Sequence, residues 1–579
     1  MIKKFINKYK TSEAFRHILW ITIVYVLTQG FLLIVSGIWW DDWLSRTRDW
    51  EAHLESALQQ GLPLRACIHA SLWFLPEGAY RILVFFYYYV GSLLVYTIMK
   101  KIDAFTSDAA FWITLLYIAI PINDARILLC CYDYQVGLFS FWIAFWLVTL
   151  WQGKNGRKAV VLRVLSLVIL VFSYNTESIM LMTLVILLYL YYEKLKDGWV
   201  WNEVRANIRK FFKTVVYYMD FLLAPIIFYF GKKILFPTYG GYSGYRNVDV
   251  EALPELIMHS PIHAGKTMMY LLSNYIFALF NRTVLFSSGL IPRSLRWGSL
   301  LVLAVVVLCY LLVSYMHWRK EIARTEADIP YSNAVIMLIV GVFCFFSGFF
   351  AYAIYCNGMF ETTWTTGRHS LLLGIGTAMI IYYLVGIVFR REIRKMVLVS
   401  FITLGVCHFN LMYLDWQEAY YQELRFQEEI AENQNILDND TFLYLDFGWI
   451  FYVPSAISYE ATGEESRFYL SLDRLSVLPD IDEDSVYLTG YHMCDWNYST
   501  ENRHLDGILL FNNVPISNSE VIKLKFEELY DKDAFNKWIS ETKDITFIPV
   551  TEKESDAIIK AHQEGILTRD NIFDYVGAY

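Results

Sequence analysis

Two adjacent carboxylates, Asp41 and Asp42, stand between Trp39-Trp40 and Trp43, just past the first long apolar segment of the chain. Indole rings favour the membrane–water boundary, whereas ionised carboxylates are expensive there, so a pair kept at that depth implies a task. A carboxylate can take a proton from a nucleophile; the bland reading is that the pair caps the loop helix that follows. A second group comprises Asp124, Arg126 and Asp133, with Glu177 at similar depth. A third runs from Glu361 through Thr362-Thr363-Trp364-Thr365-Thr366-Gly367 to Arg368-His369, directly before an apolar segment.

If these loops share one side of a membrane, they assemble carboxylates and cations in one cavity. Such a set suits glycosyl transfer from a lipid-phosphate sugar. A carboxylate deprotonates the acceptor hydroxyl or amine, the nucleophile attacks the anomeric carbon, and the departing phosphate is neutralised by Arg, Lys, His or a divalent cation, Mg or Mn. Arg368 is the preferred phosphate ligand because the guanidinium fork pairs bidentately with phosphate oxygens. His369 stands beside it, Arg126 is a second cation, and Glu361 and Asp124 complete the substrate-binding candidates with Glu177. Each has a plainer alternative: an interfacial charge for Arg368, a structural histidine for His369, a helix-start acid for Glu177.

The elements that must position these groups are membrane spans. The chain is 56% hydrophobic with mean hydropathy +0.35, which excludes an ordinary soluble protein. Apolar runs long enough to cross a ~30 Å hydrocarbon core recur along it. The basic residues Lys3, Lys4, Lys8, Lys10 and Arg16 place the N-terminus in the cytoplasm, and a first span runs from Ile18 to Trp40. No cleavable signal is apparent. Residues 44–80 form an amphipathic outer loop with helical periodicity around Trp50, Leu54, Ala57 and Leu58, and a second short helix at Leu64–Leu75.

Further spans are expected near 82–99, 105–120, 134–151, a hairpin turning at 173–177, and 215–236. Then come 299–315, 334–355, 370–388 and 397–414. The basic loops (Lys100-Lys101, Gly153–Lys158, Lys194–Lys213, Arg390–Lys395) then fall inside and the chemistry-bearing loops outside. Residues 237–297 form an outer or re-entrant segment. It opens on the glycine–tyrosine tract Tyr239–Tyr245, read as a lid or a plain connector, and contains an apolar stretch, Met268–Leu290.

Net charge is −8, but the last 165 or so residues carry about 33 acids against 12 bases, while the part before is basic. This marks two modules: a membrane part, 1–415, and an acidic soluble domain, 416–579. The second begins with a polar helix, Asp415–Asn435, and continues in an α+β pattern with strand-like runs at 441–445, 485–488, 508–511 and 546–550. The fold class is therefore a polytopic α-helical membrane protein of about eleven transmembrane helices with a C-terminal extracytoplasmic α+β domain. Eight scattered cysteines supply neither a disulfide framework nor zinc spacing.

An amino-terminal span leading to Asp41-Asp42 at the head of a large amphipathic outer loop, with many spans after it, resembles the GT-C superfamily of integral-membrane glycosyltransferases. The resemblance covers residues 1–415 as architecture and Asp41-Asp42 as sequence. It implies a polyprenyl-phosphate sugar donor, an inverting mechanism, and a catalytic acid at Asp41 or Asp42. Trp39-Trp40-Asp41-Asp42 is similar to a signature of oligosaccharyltransferases, but theirs lies in the soluble domain. A single-sugar transferase acting on a surface glycan, lipid or protein fits better.

The alternatives are a polysaccharide polymerase or ligase of envelope biogenesis, depending on Arg126, Arg368 and His369, and a transporter or membrane-anchored recognition protein. Few mid-span charges and no repeat symmetry weigh against transport. No Walker A, His-Glu-x-x-His or Gly-x-Ser-x-Gly motif occurs, and the acidic soluble end disfavours nucleic acid.

Overall fold

The computed structural model describes residues 9, 11–37, 39, 42, 50–72, 75–196, 204–240, 253–275, 331–353, 365–389 and 391–432, five short strands beyond them, and positions 551, 553, 554, 557 and 560. The chain divides into two compact units. The first comprises residues 1–37, 54–239 and 244–418, and the second 38–53, 240–243 and 419–579. The segment around Asp42 is thus assigned to the same unit as the carboxyl-terminal residues.

The first unit is a helical membrane bundle. Helix α1 (Glu13–Gln29) starts at Ser12, whose hydroxyl accepts the Phe15 amide at 3.3 Å, and ends in a 3₁₀ turn, Gly30–Leu33. The amphipathic helices α2 (Trp50–Gln59) and α3 (Pro63–Leu72) follow. Their junction is a Schellman stop, with the Leu62 amide on the Ala57 carbonyl at 2.9 Å and the Gly61 amide on Leu58 at 2.8 Å. Gly61 takes φ +66°, and a Cβ there would meet the Phe236 carbonyl oxygen at 2.7 Å, so a side chain is excluded twice. Pro63 then opens α3 with its fixed φ.

Next come α4 (Glu77–Lys101), α5 (Ser107–Ala119), α6 (Tyr132–Trp151), α7 (Arg157–Ser173) and α8 (Thr183–Leu195). They are followed by α9 (Val204–Tyr217), α10 (Met219–Leu235), α11 (Leu253–Asn274), α12 (Tyr331–Ala353), α13 (Gly374–Val388) and α14 (Arg391–Glu432).

Among the described residues, seven helical segments are long and apolar enough to cross a membrane: 13–33, 78–101, 129–151, 177–195, 332–353, 367–388 and 393–417. The protein is a helical membrane protein. Two expected spans change character. The third shrinks to α5, whose 13 residues reach only about 20 Å. It is shielded by its neighbours, with Ile113, Leu116 and Ala119 fully buried. The seventh is a pair, α9 and α10, bent by 52°; it makes an eighth span only if both halves count as one. Met268–Asn274 closes α11 and Tyr275 follows it, and the rest of the expected re-entrant stretch, with the 299–315 span, lies outside the described residues. The polar helix expected from Asp415 is no separate element, since α14 continues unbroken to Glu432.

Polar contacts register the helices. His17 bonds the Tyr96 hydroxyl at 2.9 Å and stacks on Phe111, tying α1 to α4 and α5. Along α14, Asn410 donates to the Leu27 carbonyl at 2.8 Å and the Tyr413 hydroxyl to Gln29 at 2.7 Å. Small residues bring α12 and α13 together: a Cβ on Gly341 would lie 2.9 Å from that of Met379, and one on Gly348 2.6 Å from the Leu372 carbonyl oxygen.

The described strands of the second unit are β1 (Thr441–Leu445), β2 (Val486–Thr489), β3 (Gly507–Phe511), β4 (Val521–Lys525) and β5 (Ile545–Pro549). β1 pairs antiparallel with β4, while β2, β3 and β5 form an antiparallel three-stranded order with β3 central.

Candidate functional site at one end of the bundle

The polar groups of the first unit gather where α6, α8 and α13 begin. The chain enters each of these helices through 3₁₀ turns: 124–127 and 129–131 before α6, 177–182 before α8, and 365–373 before α13. Pro121 ends α5, and Asn123 turns the chain with φ 54°, a left-handed conformation that asparagine tolerates better than most residues. The Asn123 amide donates to the Ser370 hydroxyl at 2.8 Å, so the second and third polar loops are joined. Thr176 Oγ1 donates to the Asp133 carbonyl at 3.3 Å and brings in the turn before α8.

Three carboxylates in this layer have basic partners. Asp133 is buried, with Arg65 Nε at 3.5 Å and His69 Nε2 at 3.7 Å. Both partners come from α3, where spacing i, i+4 sets them on one helical face. Arg65 also donates to the Cys130 carbonyl at 3.0 Å, which docks α3 over the start of α6. Glu177, also buried, forms an ion pair with Lys232 near the end of α10. Deeper, the fully buried Asp124 meets His408 Nε2 of α14 at 3.2 Å. Arg126 turns inward: its Nε donates to the Asn123 carbonyl at 2.9 Å, Nη2 donates to the Ile122 carbonyl, and its guanidinium lies 4.1 Å from the Phe409 ring centre and 4.8 Å from that of Tyr88.

Beside Arg126 is a cavity of about 20 Å³, also lined by Tyr25, Gln29, Tyr88, Tyr117 and Asn123. Its size suits a water molecule and is too small for a sugar.

The residues singled out from sequence are thus divided. Asp124, Arg126 and Glu177 lie in the layer but are engaged within the protein, Asp124 by His408, Arg126 by carbonyls and rings, and Glu177 by Lys232. Glu177 also stands in the first turn of the helical stretch that leads into α8. Arg368 and His369 are half-buried in the 3₁₀ turn before α13, His369 edge-on to Tyr352 at 5.1 Å. Glu361 and Asp41 lie outside the described residues. Asp42 belongs to the second unit and is buried. Its carboxylate accepts the Trp39 amide at 3.4 Å while its own amide donates to the Trp39 carbonyl at 3.1 Å, so it closes a turn on Trp39. In the glycine–tyrosine tract, Tyr239 is held at both ends, amide to the Gln59 carbonyl at 3.2 Å and hydroxyl to Glu55 at 2.9 Å. Residues 241–245 of that tract are not described.

Sequence reasoning missed Arg65, His69, Lys232 and His408. The i, i+4 pair in α3 and a histidine inside the last apolar run were the available signals. It also missed Arg81, a buried arginine that donates to the Val35 carbonyl at 2.9 Å and to that of Gly37, fixing the chain as it leaves α1.

Chemically, the layer holds a carboxylate, Asp133, beside two basic side chains able to pair with phosphate, Arg65 and His69, while Glu177 and Lys232 are paired with each other. Among the described residues no three His, Cys, Asp or Glu side chains gather as a metal-binding set. Compared with protein-family models, with curated proteins and with solved structures, the chain finds no match in any of the three.

Proposed function

We propose that the protein is a membrane glycosyltransferase moving a sugar from a polyprenyl-phosphate donor to an extracytoplasmic acceptor, with a GT-C-like arrangement of about eleven spans and an extracytoplasmic α+β domain. The observation that carries the reading is the buried Asp133 flanked by Arg65 and His69 from an amphipathic helix at the end of the apolar bundle. A carboxylate beside an arginine and a histidine there offers the groups that transfer from a lipid phosphate requires.

In the reaction, a carboxylate takes the acceptor hydroxyl proton as that oxygen attacks the anomeric carbon. The anomeric C–O bond breaks, and its electron pair leaves with the phosphate. Arg65 and His69 would exchange Asp133 for phosphate oxygens, with Arg368 as a further cation. That exchange would release Asp133 from Arg65 and His69. The resemblance puts the base at Asp41 or Asp42; the geometry adds Asp133 as a third candidate.

The test is sugar turnover by purified enzyme offered a panel of polyprenyl-phosphate sugars, comparing wild type with Asp41→Asn, Asp42→Asn, Asp133→Asn and Arg65→Gln. Loss of turnover by about 10²–10⁴-fold in one Asn variant, with folding and donor binding intact, identifies the base. Wild-type turnover in all four variants, or no turnover of any such donor, refutes the proposal.

A further inference from the structure

Helix α9 is not the inner half of a straight span. It leaves α10 at 52°, and the bend at Tyr218 is pinned. The Tyr218 hydroxyl donates to Gln152 at 2.9 Å, at the end of α6. Arg163 of α7 grips Asp220 through two bonds of 2.7 and 2.8 Å while its guanidinium lies over Tyr217. The bend is therefore level with the loop carrying Lys154, Arg157 and Lys158, at the end of the bundle where Lys100, Lys101 and Lys196 also emerge.

The faces of α9 have three different characters. Asn207 and Thr214 are buried, and Lys210 reaches the Leu195 carbonyl at 3.5 Å, so this side packs on α8 and α10. Ile208, Phe212 and Val216, one turn apart, are 50%, 63% and 68% exposed, and Phe211 extends the same stripe. Arg205, Arg209 and Lys213, again one turn apart, are all exposed along the adjoining stripe, and the helix carries no acid. An apolar stripe bordered by exposed cations fits a surface that is apolar below and anionic above, which is a leaflet of acidic lipid.

We propose that α9 lies obliquely in the lipid headgroup region at the basic end of the bundle, where Arg205, Arg209 and Lys213 bind anionic lipid headgroups. The site is remote from the Asp133 layer, and the inference is independent of the glycosyltransferase reading.

The experiment is lipid retention by the full-length protein in detergent, read by native mass spectrometry against phosphatidylglycerol and phosphatidylcholine. Wild type should retain phosphatidylglycerol preferentially. Replacing Arg205, Arg209 and Lys213 together by Gln should weaken that retention on the order of 100-fold at low salt, each charge near an anionic surface counting roughly fivefold. The swap Arg205→Lys, Arg209→Lys, Lys213→Arg should preserve it. Equal retention of the two lipids by wild type, or undiminished phosphatidylglycerol retention in the Gln variant, overturns the proposal.

Discussion

Replacing Gly405 by alanine should be among the most damaging small changes in the membrane unit. Gly405 lies on α14 where that helix crosses the end of α5. A Cβ there would overlap the Ala119 carbonyl oxygen and sit 2.6 Å from its carbon and 3.0 Å from the Ala119 Cβ. These atoms belong to backbone or to a side chain with nothing to rotate, so the helices must separate by roughly 1 Å, forfeiting a quarter to half of the dispersion energy along the contact. Overpacking of this kind costs about 1–3 kcal/mol, and the absence of a flexible neighbour puts this site at the upper end. His408 is three residues along α14 and 3.2 Å from Asp124, so the shift also pulls at the turn carrying Asn123 and Arg126. The assay is thermal unfolding of the purified protein in detergent, with Gly78→Ala as control. Gly78 is near the start of α4, where an added Cβ meets nothing within 4 Å, and alanine there should be neutral or stabilising by about 0.4–1 kcal/mol. If Gly405→Ala unfolds at the temperature of Gly78→Ala, the close crossing of α5 and α14 is refuted.

Two other outcomes are expected. Lys232→Met leaves Glu177 buried without its cation and should destabilise by about 3–5 kcal/mol, whereas Glu177→Met with Lys232→Met should recover most of that; thermal unfolding of the single and double variants checks it, and an additive double variant would exclude the ion pair. The hydrogen bond to Glu55 raises the Tyr239 pKa above the ordinary value. The neutral phenol therefore tethers the segment after α10 below about pH 10, and the tether is lost as pH rises through the raised value. In ultraviolet titration, the difference between wild type and Tyr239→Phe should appear above about pH 10, and a difference centred at or below 10 contradicts the contact.

The helices were legible wherever apolar residues ran long enough. The stretches near 82–99, 134–151, 370–388 and 397–414 all lie within helices, whose ends extend further because 3₁₀ and polar turns continue them without an apolar signal. What hydropathy could not show was depth. The run 105–120 is as apolar as a span, yet its helix is short and buried by neighbours, and composition alone does not separate those cases. Nor could it show the bend at Tyr218, which depends on Arg163 and Gln152 gripping the chain from α7 and α6. The site followed the same rule. Asp124, Asp133 and Glu177 were conspicuous as acids beside apolar runs, but their partners Arg65, His69, Lys232 and His408 lie between 55 and 284 residues away for every pair, distances bridged only by the fold. Pairing turned Asp124, Arg126 and Glu177 from open ligands into internal struts.

The 3₁₀ turns give the bundle unequal ends. Five such stretches, at 30–33, 124–127, 129–131, 177–182 and 365–373, precede or follow helices toward the end holding the ion pairs, while α4, α6 and α8 run as regular α-helix into the basic end. A 3₁₀ turn rises about 2.0 Å per residue instead of 1.5 Å, but its hydrogen bonds are poorer in geometry. Thermal fluctuation is therefore spent unevenly: backbone amides near residues 124–131, 177–182 and 365–373 exchange with solvent deuterium ahead of those in the middle of α6 and α13. The end that breathes is the end where charges would have to change partners.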